Sequence, residues 1–136
     1  MPERAFTPEE ANAALAEVRP LVERMVAARS VLLDAQRRQA ELVARVASNG
    51  GGLTPPDVAA AAAEVQQSTE QLVAVLEELE RLGVQVKDLD RGLVDFPARH
   101  PESGDLVLLC WHLGEKRVGF WHGLEEGFAG RKPLPF

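Results

Sequence analysis

The sequence has a single cysteine, Cys110, and it lacks tyrosine and isoleucine altogether. One cysteine cannot form an intrachain disulfide, which excludes the class of small secreted proteins held together by such bonds. No apolar run approaches the roughly 20 residues that a helix needs to cross a bilayer. The first residues also lack the basic region and apolar stretch of an export signal. We therefore expect a cytoplasmic protein that neither enters nor spans a membrane.

Positive charge is scarce, with 15 lysines and arginines against 21 acidic residues and a net charge of −6. A protein of this charge is repelled by phosphate backbones and anionic lipid, so we expect no nucleic-acid partner and no membrane partner. The chain has 136 residues, of which 46% are hydrophobic. That is enough for one modest core, and we predict a single domain over residues 1–136.

Two segments carry apolar or small residues at alternating spacings of three and four, the pattern of helices that pack lengthwise against each other. The first stripe consists of Leu21, Met25, Ala28, Leu32, Ala35, Gln39, Leu42 and Val46. The second consists of Val58, Ala61, Val65, Ser68, Leu72, Val75, Leu79 and Leu82. Together they predict a long antiparallel helical hairpin over residues 7–83, resembling a short coiled coil.

Sequence signals also mark the ends of the hairpin. Thr7 and Glu10 can form a capping box, and Pro8 suits the first helical position. The turn is expected at residues 48–56, where three successive glycines end the first helix. Pro20 falls inside the first helix, where proline costs about 3 kcal/mol, so we predict a kink or break there. The apolar face of residues 7–19 should then cover the C-terminal third.

The C-terminal third has short apolar runs at residues 84–87, 92–96, 106–112 and 117–122, separated by turn residues. This pattern predicts a small antiparallel sheet over residues 84–122, followed by an irregular tail at 123–136. The expected fold class is therefore α+β. A tight turn at residues 113–116 would place His112 opposite Arg117, and it would put His122 and Cys110 on opposite faces of the sheet.

Three motifs together resemble a known family. They are Phe-Thr-Pro-Glu-Glu-Ala-Asn from Phe6, Val-Lys-Asp-Leu-Asp-Arg-Gly-Leu-Val-Asp-Phe-Pro from Val86, and Cys-Trp-His-Leu-Gly-Glu from Cys110 followed by Phe-Trp-His from Phe120. The set is similar to the domain of unknown function 2203 family of small bacterial and archaeal proteins, over essentially the whole chain. The resemblance implies a helical hairpin with a compact C-terminal part. It brings no activity, substrate or catalytic residue.

Carboxylates and imidazole are common metal ligands, and several occur in the C-terminal third. If the strand carrying Asp95 lies beside the last strand, His122 could bind zinc or manganese together with nearby carboxylates. The candidate ligands are His122, Asp95, Asp88, Asp90 and Glu115. The alternative interpretation is that Asp95 and Asp90 cap turns and that His122 makes an ordinary hydrogen bond at the end of a strand.

Cys110 and His112 are one residue apart, but on a strand their side chains would be about 7 Å apart, too far for an activated nucleophile. Cys110 is more simply a buried structural residue. No catalytic or cofactor-binding motif is found, so we assign no catalytic residue and favour a role other than catalysis. A ligand site that combines Lys87 with the neighbouring carboxylates is the alternative.

The helical stripes contain polar and small residues, and apolar residues beside them widen the face beyond what one neighbouring helix covers. We therefore predict self-association through the hairpin, with a homodimer favoured. The interface is predicted at Leu32, Val65, Leu72, Val75, Leu76 and Leu79. The alternative is a monomer that buries the excess on its own sheet. Any other protein partner is unidentified, and the metal- or ligand-binding role is the second function considered.

Overall fold

The fold consists of two long helices followed by an antiparallel sheet, as a computed structural model describes it for residues 4–49 and 55–136. The elements are α1 (Pro8–Asn49), α2 (Pro55–Arg81), β1 (Gln85–Asp88), β2 (Leu93–Arg99), β3 (Leu106–His112), β4 (Phe120–Gly123), a 3-10 turn (Phe128–Gly130) and β5 (Lys132–Pro133). This architecture confirms the predicted α+β fold with a helical hairpin. The chain divides into two compact units, residues up to Val26 with Val75–Phe136 and residues Ala27–Ala74. The prediction of a single domain is not tested by this division.

Helix α1 begins with the predicted capping box. The Thr7 hydroxyl accepts a hydrogen bond from the Glu10 backbone N–H at 3.0 Å, and the Glu10 carboxylate accepts one from the Thr7 N–H at 2.9 Å. Two of the N–H groups that a helix leaves unpaired at its start are thereby satisfied. Just before this cap, the Phe6 N–H donates to the Pro97 carbonyl, so the entry to α1 is held against β2.

Helix α1 runs without interruption through Pro20, so the expectation of a break there is wrong. Proline removes only one backbone hydrogen bond of the helix, and its ring clashes only with the preceding turn. Pro20 is exposed, whereas its neighbours Val18, Leu21 and Val22 are all buried. Burial of this face on the first unit stabilises the helix enough to offset the local cost, because tertiary packing overrides intrinsic propensity. A bend at Pro20 remains a prediction.

The sheet has the strand order β1-β2-β3-β4-β5, and every neighbouring pair is antiparallel. Strand β2 continues through Pro97 to Arg99, three residues beyond the predicted end at Phe96. The neighbouring strand β1 pairs with β2 only as far as Asp95. Beyond that point, the Pro97 carbonyl accepts a hydrogen bond from the Phe6 N–H, just before α1. The tail is less irregular than predicted, since it contains the 3-10 turn and β5.

The register between β3 and β4 differs by one residue from the predicted one. Leu108 lies opposite His122, and Cys110 lies opposite Phe120. The connection between the strands is longer than the predicted turn, since β3 ends at His112 and β4 starts at Phe120. In this connection Val118 bonds to α1: the side-chain amide of Asn12 accepts from the Val118 N–H at 2.8 Å and donates to the Val118 carbonyl at 3.2 Å. A one-residue shift moves every β4 side chain to the other face of the sheet.

Within the unit Ala27–Ala74, α1 and α2 pack antiparallel along the predicted stripes. Ala28, Leu32 and Ala35 of α1 are buried, as are Ser68 and Leu72 of α2. Arg38 of α1 forms an ion pair with Glu64 of α2, and the Ser68 hydroxyl donates to the Glu64 carbonyl at 2.8 Å. The predicted glycine turn lies outside the described residues.

Candidate functional site

Three strands bring one ligand-forming side chain each to a single point of the sheet. Asp95 of β2 lies opposite Cys110 of β3, and His122 of β4 lies opposite Leu108, which is two residues before Cys110 on β3. Opposed side chains share a face, so all three project from the same side. One ligand atom from each residue lies within 4.8 Å of the others. The buried group Asp95–Cys110–His122 can therefore hold a metal ion.

The ring of His122 has a defined orientation. Its Nδ1 lies 2.7 Å from the Gly123 carbonyl oxygen, which can only accept a hydrogen bond, so Nδ1 carries a proton and donates it. Its Nε2 lies 3.2 Å from Oδ2 and 3.3 Å from Oδ1 of Asp95. A positive centre, either a proton or a metal ion, is therefore required between the imidazole and the carboxylate.

All three side chains are removed from solvent: Asp95, Cys110 and His122 are 1%, 0% and 3% exposed. Burial is the largest influence on Asp95 and raises its pKa, while His122, Lys87 and a hydrogen bond from Cys110 act in the opposite direction. Burial also raises the pKa of the Cys110 thiol to about 11, despite a hydrogen bond from Arg131. Without a metal ion, the thiol is therefore protonated at neutral pH.

Arg131 from the tail lies over this face of the sheet. Its Nη1 is 3.7 Å from the Cys110 sulfur, and its Nη2 is 2.5 Å from Oε2 of Glu115. The guanidinium also stacks on the rings of Phe120 and Phe128, at 3.9 and 4.4 Å from their centroids. The thiol therefore has a cationic hydrogen-bond donor beside it, and the charge of that donor is balanced by the Glu115 carboxylate.

The other predicted ligands lie elsewhere. Asp88 accepts hydrogen bonds from the N–H groups of Asp90 and Arg91 at 2.9 and 3.0 Å and so caps their turn. The alternative in which Asp95 caps a turn is wrong, because Asp95 lies within β2. Glu115 pairs with Arg131, and it also lies 3.8 Å from Nε2 of His112. Among the described residues, only Asp95 and His122 of the predicted set belong to the buried group.

Cys110 is the residue that sequence reasoning did not connect with His122. The predicted register placed the two on opposite faces, and the one-residue shift of the observed register brings them together. The structure also places Cys110 out of reach as a nucleophile, because the thiol is fully buried and its pKa is about 11. No feature of the strand sequences alone would have revealed the contact.

The predicted interface residues occupy two environments. Leu32, Leu72, Val75 and Leu79 are buried within a single copy of the chain, whereas Val65 and Leu76 are partly exposed. The strongly exposed large apolar residues of the described chain are others, namely Val31, Leu33, Val43, Val46, Val58, Val73 and Leu124. Contact of the six predicted residues with a second copy remains a prediction.

Fold and site together define an α+β protein in which a helical hairpin precedes a five-stranded sheet with a buried Asp–Cys–His group. The family model of an uncharacterized conserved protein, DUF2203, matches residues 4–134, and the chain belongs to this family. The predicted family is thus confirmed. No curated protein and no solved structure matches the chain.

None of the described helices is long and apolar enough to cross a bilayer. A cytoplasmic location remains a prediction.

Proposed function

We propose that this protein is a structural or interaction module that forms a homodimer through its helical hairpin. The observation that carries the proposal is the distribution of exposed apolar residues. Seven large apolar residues of the described chain are strongly exposed, and six of them lie in the unit Ala27–Ala74. Such a concentration of exposed apolar residues in one unit favours an interaction surface there, since apolar residues exposed singly are the norm on monomers.

The charges of the two helices indicate that the partner is a second copy. Within Ala27–Ala74, the α1 segment has four arginines and two acidic residues, whereas the α2 segment has three acidic residues and neither lysine nor arginine. A second hairpin that lies with its α1 against α2 of the first brings opposite charges together twice. This symmetric arrangement is a four-helix bundle with two equal contacts.

An apolar groove lies beside the predicted turn. This groove of about 360 Å³ is lined by Leu42, Val43, Val46, Val58 and Ala61, with Gln39 and Ala47 at its edges. Val43 is 64% exposed and Val58 is 51% exposed. Burying such side chains in a dimer contributes about 25 cal/mol per Å² of apolar surface removed from water.

Light scattering during size-exclusion chromatography tests the proposal. Wild-type protein should have the mass of two chains, and Val43→Glu should have the mass of one, because a charge would be buried in the contact. Leu124→Glu is the matched control, since Leu124 is 56% exposed but lies in the other unit. Circular dichroism checks that helicity is unchanged. A wild type with the mass of one chain, or a dimeric Val43→Glu variant, overturns the proposal.

Metal binding is the second candidate function, and the buried Asp95–Cys110–His122 group is the observation that favours it. Zinc and manganese are the ions that the sequence suggested for mixed nitrogen and oxygen ligands. Elemental analysis of the purified protein, before and after dialysis against each ion, tests this function. A preparation that contains neither ion and cannot be loaded with either excludes it.

A further inference from the structure

We infer that Asp95, Cys110 and His122 form a zinc site in which Cys110 is a thiolate ligand. The inference rests on metal binding, the second candidate function above. It goes further by naming the ion and by replacing three of the predicted carboxylate ligands with a cysteine.

The geometry fits a tetrahedral ion. Zinc bonds to nitrogen and oxygen ligands are about 2.0–2.1 Å long, so two such ligands on one tetrahedral ion are about 3.3 Å apart. Nε2 of His122 and the Asp95 carboxylate oxygens are already 3.2 and 3.3 Å apart. The three residues belong to three adjacent strands of one sheet, which keeps their relative positions fixed. Three protein ligands would leave a fourth position for water or a small ligand.

His122 is oriented as a metal ligand. Metal-binding histidines almost always donate their second ring nitrogen to a carbonyl, a carboxylate or water, which holds the first nitrogen unprotonated toward the ion. The hydrogen bond from Nδ1 to the Gly123 carbonyl does this, and it directs Nε2 at the carboxylate of Asp95. The neighbouring histidine, His112, has its Nδ1 beside the Leu113 carbonyl but lies outside the buried group.

The charges also balance. A buried charge is costly unless an opposite charge neutralises it. An Asp95 carboxylate and a Cys110 thiolate together neutralise one divalent cation, while the imidazole adds no charge. Arg131 contributes no uncompensated charge because it is paired with Glu115. Its Nη1, 3.7 Å from the sulfur, is placed to donate a hydrogen bond to a thiolate. Arg131 is thus an outer partner that stabilises the ligand without touching the ion.

The thiolate decides between the two ions considered from the sequence. Sulfur is a soft ligand that zinc accepts readily, whereas manganese prefers carboxylates, carbonyls and water. With Cys110 in place of Asp88, Asp90 and Glu115, the set of ligands suits zinc. A further interpretation is that the three side chains share protons and hold no ion, which is an outcome that the experiment below distinguishes.

The experiment uses the full chain after treatment with a chelator. Zinc, manganese and cobalt are titrated separately, and binding is followed by calorimetry and by the shift in thermal unfolding. We expect one zinc per chain, a raised unfolding temperature and weaker binding of manganese. Cobalt replaces zinc as a spectroscopic probe, and a cysteine ligand produces a sulfur-to-cobalt charge-transfer band. That band should be present in the wild type and absent from Cys110→Ser.

Matched variants separate the ligands from their neighbours. Asp95→Asn should weaken zinc binding strongly, and Asp88→Asn should leave it unchanged, because an asparagine at position 88 can still cap its turn. In the same way, His122→Gln should weaken zinc binding strongly, and His112→Gln should leave it unchanged, because His112 lies outside the buried group. Arg131→Gln removes an outer partner and should weaken zinc binding by roughly 10–100-fold. Removal of a ligand should weaken zinc binding by more than this.

The outcomes distinguish this inference from the function on which it rests. If the wild type binds no ion, both fail, and the three side chains are a proton-sharing group. If manganese binds and zinc does not, or if cobalt binds without the charge-transfer band, metal binding stands and the zinc–thiolate site is wrong. Should a ligand variant fail to fold, the cobalt spectrum of the wild type still decides whether sulfur is bound.

Discussion

Replacement of Gly92 by alanine should destabilise the first unit through two separate effects. Gly92 lies in the turn between β1 and β2 with a φ of +66°, and a left-handed backbone costs a residue with a side chain roughly 1–2 kcal/mol. A Cβ at this position would also lie 2.9 Å from Cγ1 of Val22 and 3.2 Å from Cγ2 of Val26. Overpacking of this kind costs roughly 1–3 kcal/mol. We therefore expect Gly92→Ala to lower the free energy of unfolding by roughly 2–5 kcal/mol in total.

Urea unfolding followed by the fluorescence of the buried Trp111 measures this loss. Gly104→Ala is the matched control, because Gly104 has a φ of +75° but nothing lies within 4 Å of its added Cβ. It should lose only the backbone contribution, roughly 1–2 kcal/mol. If the two variants are equally destabilised, the contact of the turn with α1 is not tight, and the reasoning from the distances at Gly92 is refuted.

Three further predictions concern the same unit. Asn12→Ala should lower the free energy of unfolding by about 1–3 kcal/mol in chemical denaturation, because the backbone N–H and carbonyl of Val118 lose their partner. Thr7→Ala should cost about 1 kcal/mol through loss of the cap, and Thr7→Ser should restore it, as thermal melts will show. In metal-free protein, stability should fall as the pH rises from about 9 to about 11, since burial raises the pKa of Cys110 from 9.0 to about 11 and the unfolded chain loses its proton first. The free energy of unfolding from urea titrations across this range should fall by at most about 1.4 kcal/mol per pH unit, and Cys110→Ala should abolish that decline.

The candidate site shows where sequence reasoning stops. Asp95 and His122 could be named from their chemistry, and the structure does bring them together. Their third partner could not be found, because its position depends on the register of β3 and β4. The segment before β4 is held at Val118 by Asn12, which is 106 residues away along the chain. No local pattern in either strand carries this information.

The helices show the reverse situation. Spacings of three and four residues predicted the buried side chains of α1 from Leu21 to Ala35 and of α2 from Ser68 to Leu79. Val46, the last member of the first stripe, and Val58, the first member of the second, are exposed instead. Thr7 with Glu10 predicted where α1 begins. These features depend on interactions within a few residues of each other, so they can be read locally. Pro20 misled the same reasoning because its local cost is offset by packing that the sequence does not display.

The sequence by itself determined the fold class, the helical hairpin and the four main strands, because periodic burial and end-capping are short-range properties. Only the tertiary structure decided which face of the sheet His122 occupies, that Cys110 joins it and Asp95, and that Arg131 from the tail lies over them. The physical reason is that a sheet side chain has two possible faces, and a shift of one residue in the strand register exchanges them.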